Sequence, residues 1–173
     1  MGQTQSVSIN VKLANKDLRT CDIKEICLLT DGRFALTDAS NQRLKILDAS
    51  NTVTSSPRFD GVPFGVCETE IGHVATTCQY PRGVDKVSVL NVNDNFWTKG
   101  EFTVNARCNG IEYASGILYV CCGMSFVVND STPGHIRLYT LTGELQRTIP
   151  HDVDSKVKDK PISIKVKPKV NIP

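Results

Sequence analysis

The sequence predicts an all-β fold built on an internal repeat, and three observations carry that expectation. Short runs alternate apolar and polar residues with period two, as in Val7–Leu13, Leu44–Leu47, Val87–Leu90 and Ile136–Tyr139. That is the period of a strand with one buried face. Turn chemistry separates the runs at Asp31-Gly32, Ser115-Gly116, Thr142-Gly143 and Asn93-Asp94-Asn95. The order strand, glycine turn, strand, loop, strand then recurs. The turn glycines Gly32, Gly72 and Gly116 lie 40 and 44 residues apart, and the third-strand centres Ile46, Val89 and Leu138 lie 43 and 49 apart. Four-stranded units of about 40–45 residues mark propeller blades. The predicted fold class is therefore a partial β-propeller of about three four-stranded blades plus the first strand of a fourth.

Each element follows in order. Residues 1–6 read as a flexible N-terminus, and Val7–Leu13 as a strand that would close a ring on the last blade. The first blade, about 21–56, takes Ile26–Leu29, a turn at Asp31-Gly32, Arg33–Thr37, Leu44–Leu47 and a strand near Thr52. The second, about 62–98, takes Phe64–Cys67, a turn ending at Gly72, His73–Cys78 and Val87–Leu90. The third, about 108–150, takes Gly110–Tyr113, Ile117–Cys122, Ile136–Tyr139 and Glu144–Ile149. Length variation concentrates in the loops Ala39–Arg43, Gln79–Asp85 and Gly123–Gly134, which places it on one face of a ring. Pro161–Val166 reads as the opening strand of a fourth blade inside a basic C-terminal segment, 151–173.

Composition narrows the function classes. The 173 residues are 40% hydrophobic and 22% charged, which suits a packed soluble core. No window reaches the run of about 18 apolar residues that a membrane-spanning helix needs. The last 23 residues hold six Lys and three Asp, while residues 1–150 carry 14 basic against 15 acidic side chains. A near-neutral body lacks the global electrostatic footprint of a nucleic-acid binder.

Cys21, Cys27, Cys67, Cys78, Cys108, Cys121 and Cys122 are odd in number and form no C-x-x-C pair. Reduced thiols in a cytoplasmic protein are expected, with no metal and no cofactor. Cys121 and Cys122 are adjacent on one strand and point to opposite faces.

The stretch from Leu29 to Asp48, with Asp38, Asn41 and Arg43, resembles an NHL repeat, whose pattern runs Asp-Gly, strand, Asp, Asn-x-Arg, apolar strand. From Ser8 to Ile149 the chain is similar to the C-terminal propeller of invertebrate tripartite-motif (TRIM) proteins. The second and third units lack the Asn-x-Arg signature. WD-repeat and kelch patterns fit less well, because Trp97 is the only Trp and no Gly-Gly occurs. The resemblance implies a six-bladed type of ring and a role in substrate recognition for a ubiquitin ligase. Ligase activity itself would need RING and B-box modules, whose cysteine spacing is absent from this sequence. In this setting Asp38, Asn41 and Arg43 are expected to tie loop to strand.

An open arc leaves a blade face unpartnered at each end, so a homodimer or a missing propeller half is expected. The expected function is non-catalytic recognition of a protein partner through rim loops. The contact candidates are Arg43, Tyr80, Arg82, Arg107 and Phe126, a mixture that suits protein hot spots. The same side chains would serve an RNA-binding module by stacking bases. A degenerate metal-dependent hydrolase, with Glu68, Asn109 and Glu112 at inner-strand positions, is a further alternative. No G-x-S-x-G, H-E-x-x-H or P-loop is present. Gly2 opens an M-G-x-x-x-[ST] myristoylation pattern, and membrane contact is expected only if it is acylated.

Overall fold

Period-two sequences pair into three antiparallel sheets. The computed structural model describes residues 8–81, 84–93, 96–123 and 134–150. The first sheet holds β1 (Ile23–Leu28), β2 (Phe34–Asp38), β3 (Arg43–Leu47) and β4 (Val53–Ser55). The second holds β5 (Val62–Glu70), β6 (His73–Gln79), β7 (Asp85–Asn91) and β8 (Thr98–Val104). The third holds β9 (Arg107–Ala114), β10 (Ile117–Gly123), β11 (His135–Tyr139) and β12 (Leu145–Pro150). Each sheet is a four-stranded meander with its strands in sequence order, and no helix occurs among the described residues.

The turns between first and second strands explain the glycine spacing. Gly32, Gly72 and Gly116 sit at φ +86°, +78° and +83°, a region that costs any side chain with a Cβ. The first strands lie side by side, β1 against β5 and β5 against β9.

Alternation sorts each strand into two faces. Ala35, Leu44 and Ile46 pack with Val66, Val74 and Leu90 between the first and second sheets. Cys67, Val87 and Val89 pack with Ile111, Leu118, Val120 and Cys122 between the second and third. Fully burying one such aliphatic side chain contributes about 1.5–3 kcal/mol. Cys122 enters this core, and its neighbour Cys121 is buried outside that cluster. The Thr37 hydroxyl donates to the Phe64 carbonyl at 2.6 Å, so a polar bond crosses the first seam.

Two sequence expectations are corrected. Residues 8–13 form no strand. The Leu13 carbonyl accepts from the Lys16 and Asp17 amides at 3.1 and 2.8 Å, and the Val11 carbonyl accepts from Lys45 at 2.9 Å. These groups are spent on a turn and on a side chain, which leaves no ladder to build. The segment therefore lies against the first sheet on the side away from the second. There Leu36, Lys45 and Leu47 are 4%, 0% and 2% exposed. The second correction is β8, which runs to Val104, beyond the boundary near 98 read from the sequence. Its buried or half-buried apolar side chains are only Phe102 and Val104, so its periodicity is faint. The proposed strand Pro161–Val166 and the basic C-terminal segment lie outside the described residues.

Candidate functional site

The most elaborate chemistry in the described structure gathers around Lys45. Leu44 and Ile46 face the second sheet, so Lys45 points the other way, where the N-terminal segment covers it. Its Nζ lies 2.6 Å from Asp17 Oδ2, 2.7 Å from Asp38 Oδ2 and 3.1 Å from Cys21 Sγ. All three charged side chains are fully out of solvent. Burial raises the Asp38 pKa, but hydrogen bonds from Lys45, from the Asn41 side chain and from the Asp22 amide outweigh it and hold the value at about 2. Asp17 is lowered in the same way, with burial opposed by the Leu13 amide and Lys45. Burial works against the Lys45 ammonium, yet its bonds to Asp17 and Asp38 raise its pKa. Both carboxylates and the amine are therefore charged at neutral pH.

Asp17, Cys21 and Asp38 bring their donor atoms close enough together to hold a metal ion. In this fold the Lys45 ammonium sits among those donors and provides the positive charge itself.

The Asp38, Asn41 and Arg43 triplet connects this cluster to its surroundings. The Asn41 amide nitrogen donates to Asp38 at 2.9 Å and to the Arg19 carbonyl at 3.2 Å, and its oxygen accepts from the Arg19 amide at 3.0 Å. Arg43 donates to the Ser56 carbonyl at 2.7 Å and to the Lys16 carbonyl at 3.3 Å, and its Nε lies 3.5 Å from Asp17. The Leu44 amide donates to the Pro57 carbonyl, and the Phe59 amide to the Gln42 carbonyl. Gln42 adopts φ +54° to make this turn.

These ties draw three chain segments to one edge of the first sheet. Between them lies a cleft of about 350 Å³, lined by Lys16, Arg19, Arg43 and Arg58 with Asn41 and Gln42 among its polar walls. None of its lining residues is acidic or aromatic.

The sequence candidates divide. Arg43 lines the cleft, but it opens β3 and its guanidinium turns inward to Asp17 and two carbonyls. Arg107 likewise opens β9, where it pairs with buried Asp85 at 3.0 Å and donates to the Tyr80 carbonyl at 2.9 Å. Both were expected to project from loops. Their roles in this structure are to fasten strands to neighbouring segments. Tyr80 is half-buried, with Lys86 Nζ 5.3 Å from its ring centre. The structure brings Tyr80 and Arg107 together and leaves Arg43 in a separate site on the first sheet. Arg82, Phe126 and Gly2 lie outside the described residues. Glu68 accepts from the Thr30 amide at 2.8 Å, and the Asn109 side chain accepts from Gln79 at 3.1 Å. Glu112 bonds the amide of its neighbour Tyr113 at 3.1 Å.

Sequence reasoning missed Asp17, Lys45, Lys16, Arg19 and Arg58. A lysine between Leu44 and Ile46 reads as an ordinary solvent-facing strand position. The available signal was the density of basic residues at 16, 19, 43 and 58, and it carried no spatial information.

No protein-family model matches the chain, and no curated protein matches it. Among solved structures it is similar to the crystal structure of the computationally designed Ika4 protein. The two share 15% sequence identity with a TM-score of 0.56, covering 88% of this chain and 81% of that one. At that identity the likeness concerns the fold alone.

Proposed function

We propose that the three sheets are blades of a partial β-propeller of NHL type, and that the chain is a non-catalytic recognition module for a protein partner. The cleft at the edge of the first sheet supports this best. Four basic side chains converge there with no acidic lining, in a body whose overall charge is near neutral. A cationic recess on a framework of antiparallel strands suits capture of an anionic peptide segment. The repeat spacing and the side-by-side first strands support the propeller reading. Resemblance to TRIM propellers supports a role in choosing a substrate for a ubiquitin ligase.

The test is fluorescence anisotropy with a Glu-rich peptide and a poly-U oligonucleotide. The reading expects the peptide to bind and the double variant Arg19→Glu/Arg58→Glu to weaken it about tenfold or more, roughly 1.4 kcal/mol. Binding of the oligonucleotide in preference to the peptide, with a steep salt dependence, would replace it with the RNA-binding alternative.

A further inference from the structure

The charge balance around the cleft points to a more specific ligand. Asp17 and Asp38 are matched by Lys45 and Arg43, which lie within 3.5 Å of them. Lys16, Arg19 and Arg58 remain. Each is exposed, and none makes an ion pair among the described residues. Asp60 is the nearest acidic residue in sequence to Arg58. It meets Gln42 through its backbone carbonyl, and its side chain does not line the cleft.

We propose that this cleft binds a phosphorylated side chain, phosphoserine or phosphothreonine, on the partner protein. The proposal rests on the recognition reading above and names the chemistry recognised. A carboxylate neutralises one of the three uncompensated cations. A phosphate monoester carries about −1.5 to −2 at neutral pH and three acceptor oxygens, which answers most of the excess. Two of the three cations are arginines, whose planar fork matches phosphate oxygens two at a time.

The cation carriers are also positioned before any ligand arrives. The Arg19 backbone is held on both sides by the Asn41 side chain, and the Lys16 carbonyl by Arg43. Arg58 is bridged to Arg43 through the backbone, and its guanidinium donates to the Gln42 side chain at 3.3 Å. Fixing these segments in advance lowers the ordering cost of binding. The volume of about 350 Å³ lies at the small end of ligand pockets, about 300–1,000 Å³. That suits one phosphorylated side chain better than a polymer. Single-stranded nucleic acid calls for aromatic platforms along an extended groove, and no aromatic residue lines this cleft.

The experiment uses the full chain and degenerate peptide libraries fixed at one central position as phosphoserine, Ser or Glu, followed by anisotropy with a poly-U oligonucleotide and competition with inorganic phosphate. The phosphoserine library should bind at least about tenfold tighter than the Glu library. Inorganic phosphate should compete, and Arg19→Glu/Arg58→Glu should abolish the preference. Lys24→Glu, at an exposed lysine away from the cleft, should leave it unchanged. Equal binding of the phosphoserine and Glu libraries would overturn the phosphate assignment and leave the recognition reading standing. No binding of any peptide library would overturn both. Preferential capture of the oligonucleotide would overturn both in favour of RNA. A phosphoserine preference that survives the double variant, with circular dichroism showing it folded, would overturn this cleft as the site.

Discussion

Lys45 Nζ lies 2.6 Å from Asp17 Oδ2, and both side chains are sealed from water. The two residues are 28 positions apart. Their contact, with those of Asn41 to Arg19 and Arg43 to Lys16, holds the irregular N-terminal segment to the first sheet. The same lysine reaches Asp38 on the adjacent strand at 2.7 Å. One ammonium thus joins two strands and a covering segment, and Asp17 in turn lies 3.5 Å from Arg43, which lines the basic cleft.

Removing the ammonium should therefore cost more than removing an ordinary buried side chain. Lys45→Met leaves Asp38 without its cation and Asp17 with only the Arg43 Nε at 3.5 Å. Breaking a buried pair in this way costs about 3–5 kcal/mol. Urea unfolding of Lys45→Met should show a loss of that order. Adding Asp17→Asn and Asp38→Asn should recover part of it, because the uncompensated charges go with them. A loss below about 1 kcal/mol, the level of a surface ion pair, would mean that the cluster is hydrated.

The same cluster sets an acid limit. The Asp38 carboxyl titrates near 2 in the fold, against an ordinary value of 3.8. Its folded value is depressed, so its contribution is complete above the unfolded value and is lost as pH falls through the folded one. The shift corresponds to about 2 kcal/mol. Stability measured by urea unfolding should fall between pH 4 and pH 2, and Asp38→Asn should flatten that slope. Lys45 works in the opposite direction. Its folded value is raised above 10.5, so its contribution is complete below pH 10.5 and is lost as pH rises through the folded value.

The strands were legible because each obeys a local rule. Leu44-Lys45-Ile46, Val87-Ser88-Val89 and Ile136-Arg137-Leu138 display their period within a few residues, and Gly32, Gly72 and Gly116 mark turns by a property of the backbone alone. The site was hard to see because it depends on a layer that local patterns do not report. Lys45 is polar and alternates correctly, which would expose it on a sheet with one open face. The N-terminal segment covers that face, and nothing between Ser8 and Asp22 predicts where it lies. Val7–Leu13 even has a strand's alternation, and tertiary bonds from Lys45 and the Leu13 turn override it. Arg43 and Arg107 read from the sequence as loop cations free to meet a partner. Buried Asp17 and Asp85, distant in sequence, draw their guanidiniums inward.

Two glycines test the seams between sheets. Gly116 sits at φ +83° with open space around it, so Gly116→Ala should cost about 1–2 kcal/mol from backbone conformation alone. Gly65 has no such dihedral constraint, but a Cβ there would lie 2.9 Å from the Ile111 nitrogen and 3.1 Å from the Asn109 oxygen. Those are backbone atoms of β9 and yield only if the second and third sheets separate. Gly65→Ala should cost at least as much as a typical overpacking change, about 1–3 kcal/mol. It should also speed hydrogen exchange in β5 and β9, whereas Gly116→Ala should act mainly near its own hairpin. Identical exchange patterns in the two variants would show that β5 and β9 do not approach backbone to backbone.

The cysteines report burial directly. Cys67, Cys78, Cys108, Cys121 and Cys122 are buried, while Cys21 and Cys27 are half-buried, and all seven are free. Burial pushes the Cys78 thiol up to about 12 and Cys121 up to about 11, so neither supplies thiolate near pH 8. Burial also raises Cys21 and Cys27, which makes them slow to react but leaves them reachable. Maleimide treatment of the native protein at pH 8, read by intact mass, should therefore add two labels at these half-buried positions, and seven once the chain is unfolded in guanidinium. The Lys45 ammonium and Asp17 both engage the Cys21 sulfur, at 3.1 and 3.7 Å, and the ammonium favours its thiolate against the effect of burial. Lys45→Met should remove that help and leave two carboxylates beside the thiol, so Cys21 in the folded variant should label more slowly than in the parent. Native labelling of Cys67 or Cys122 would instead show that the seam between the second and third sheets opens on the timescale of the reaction.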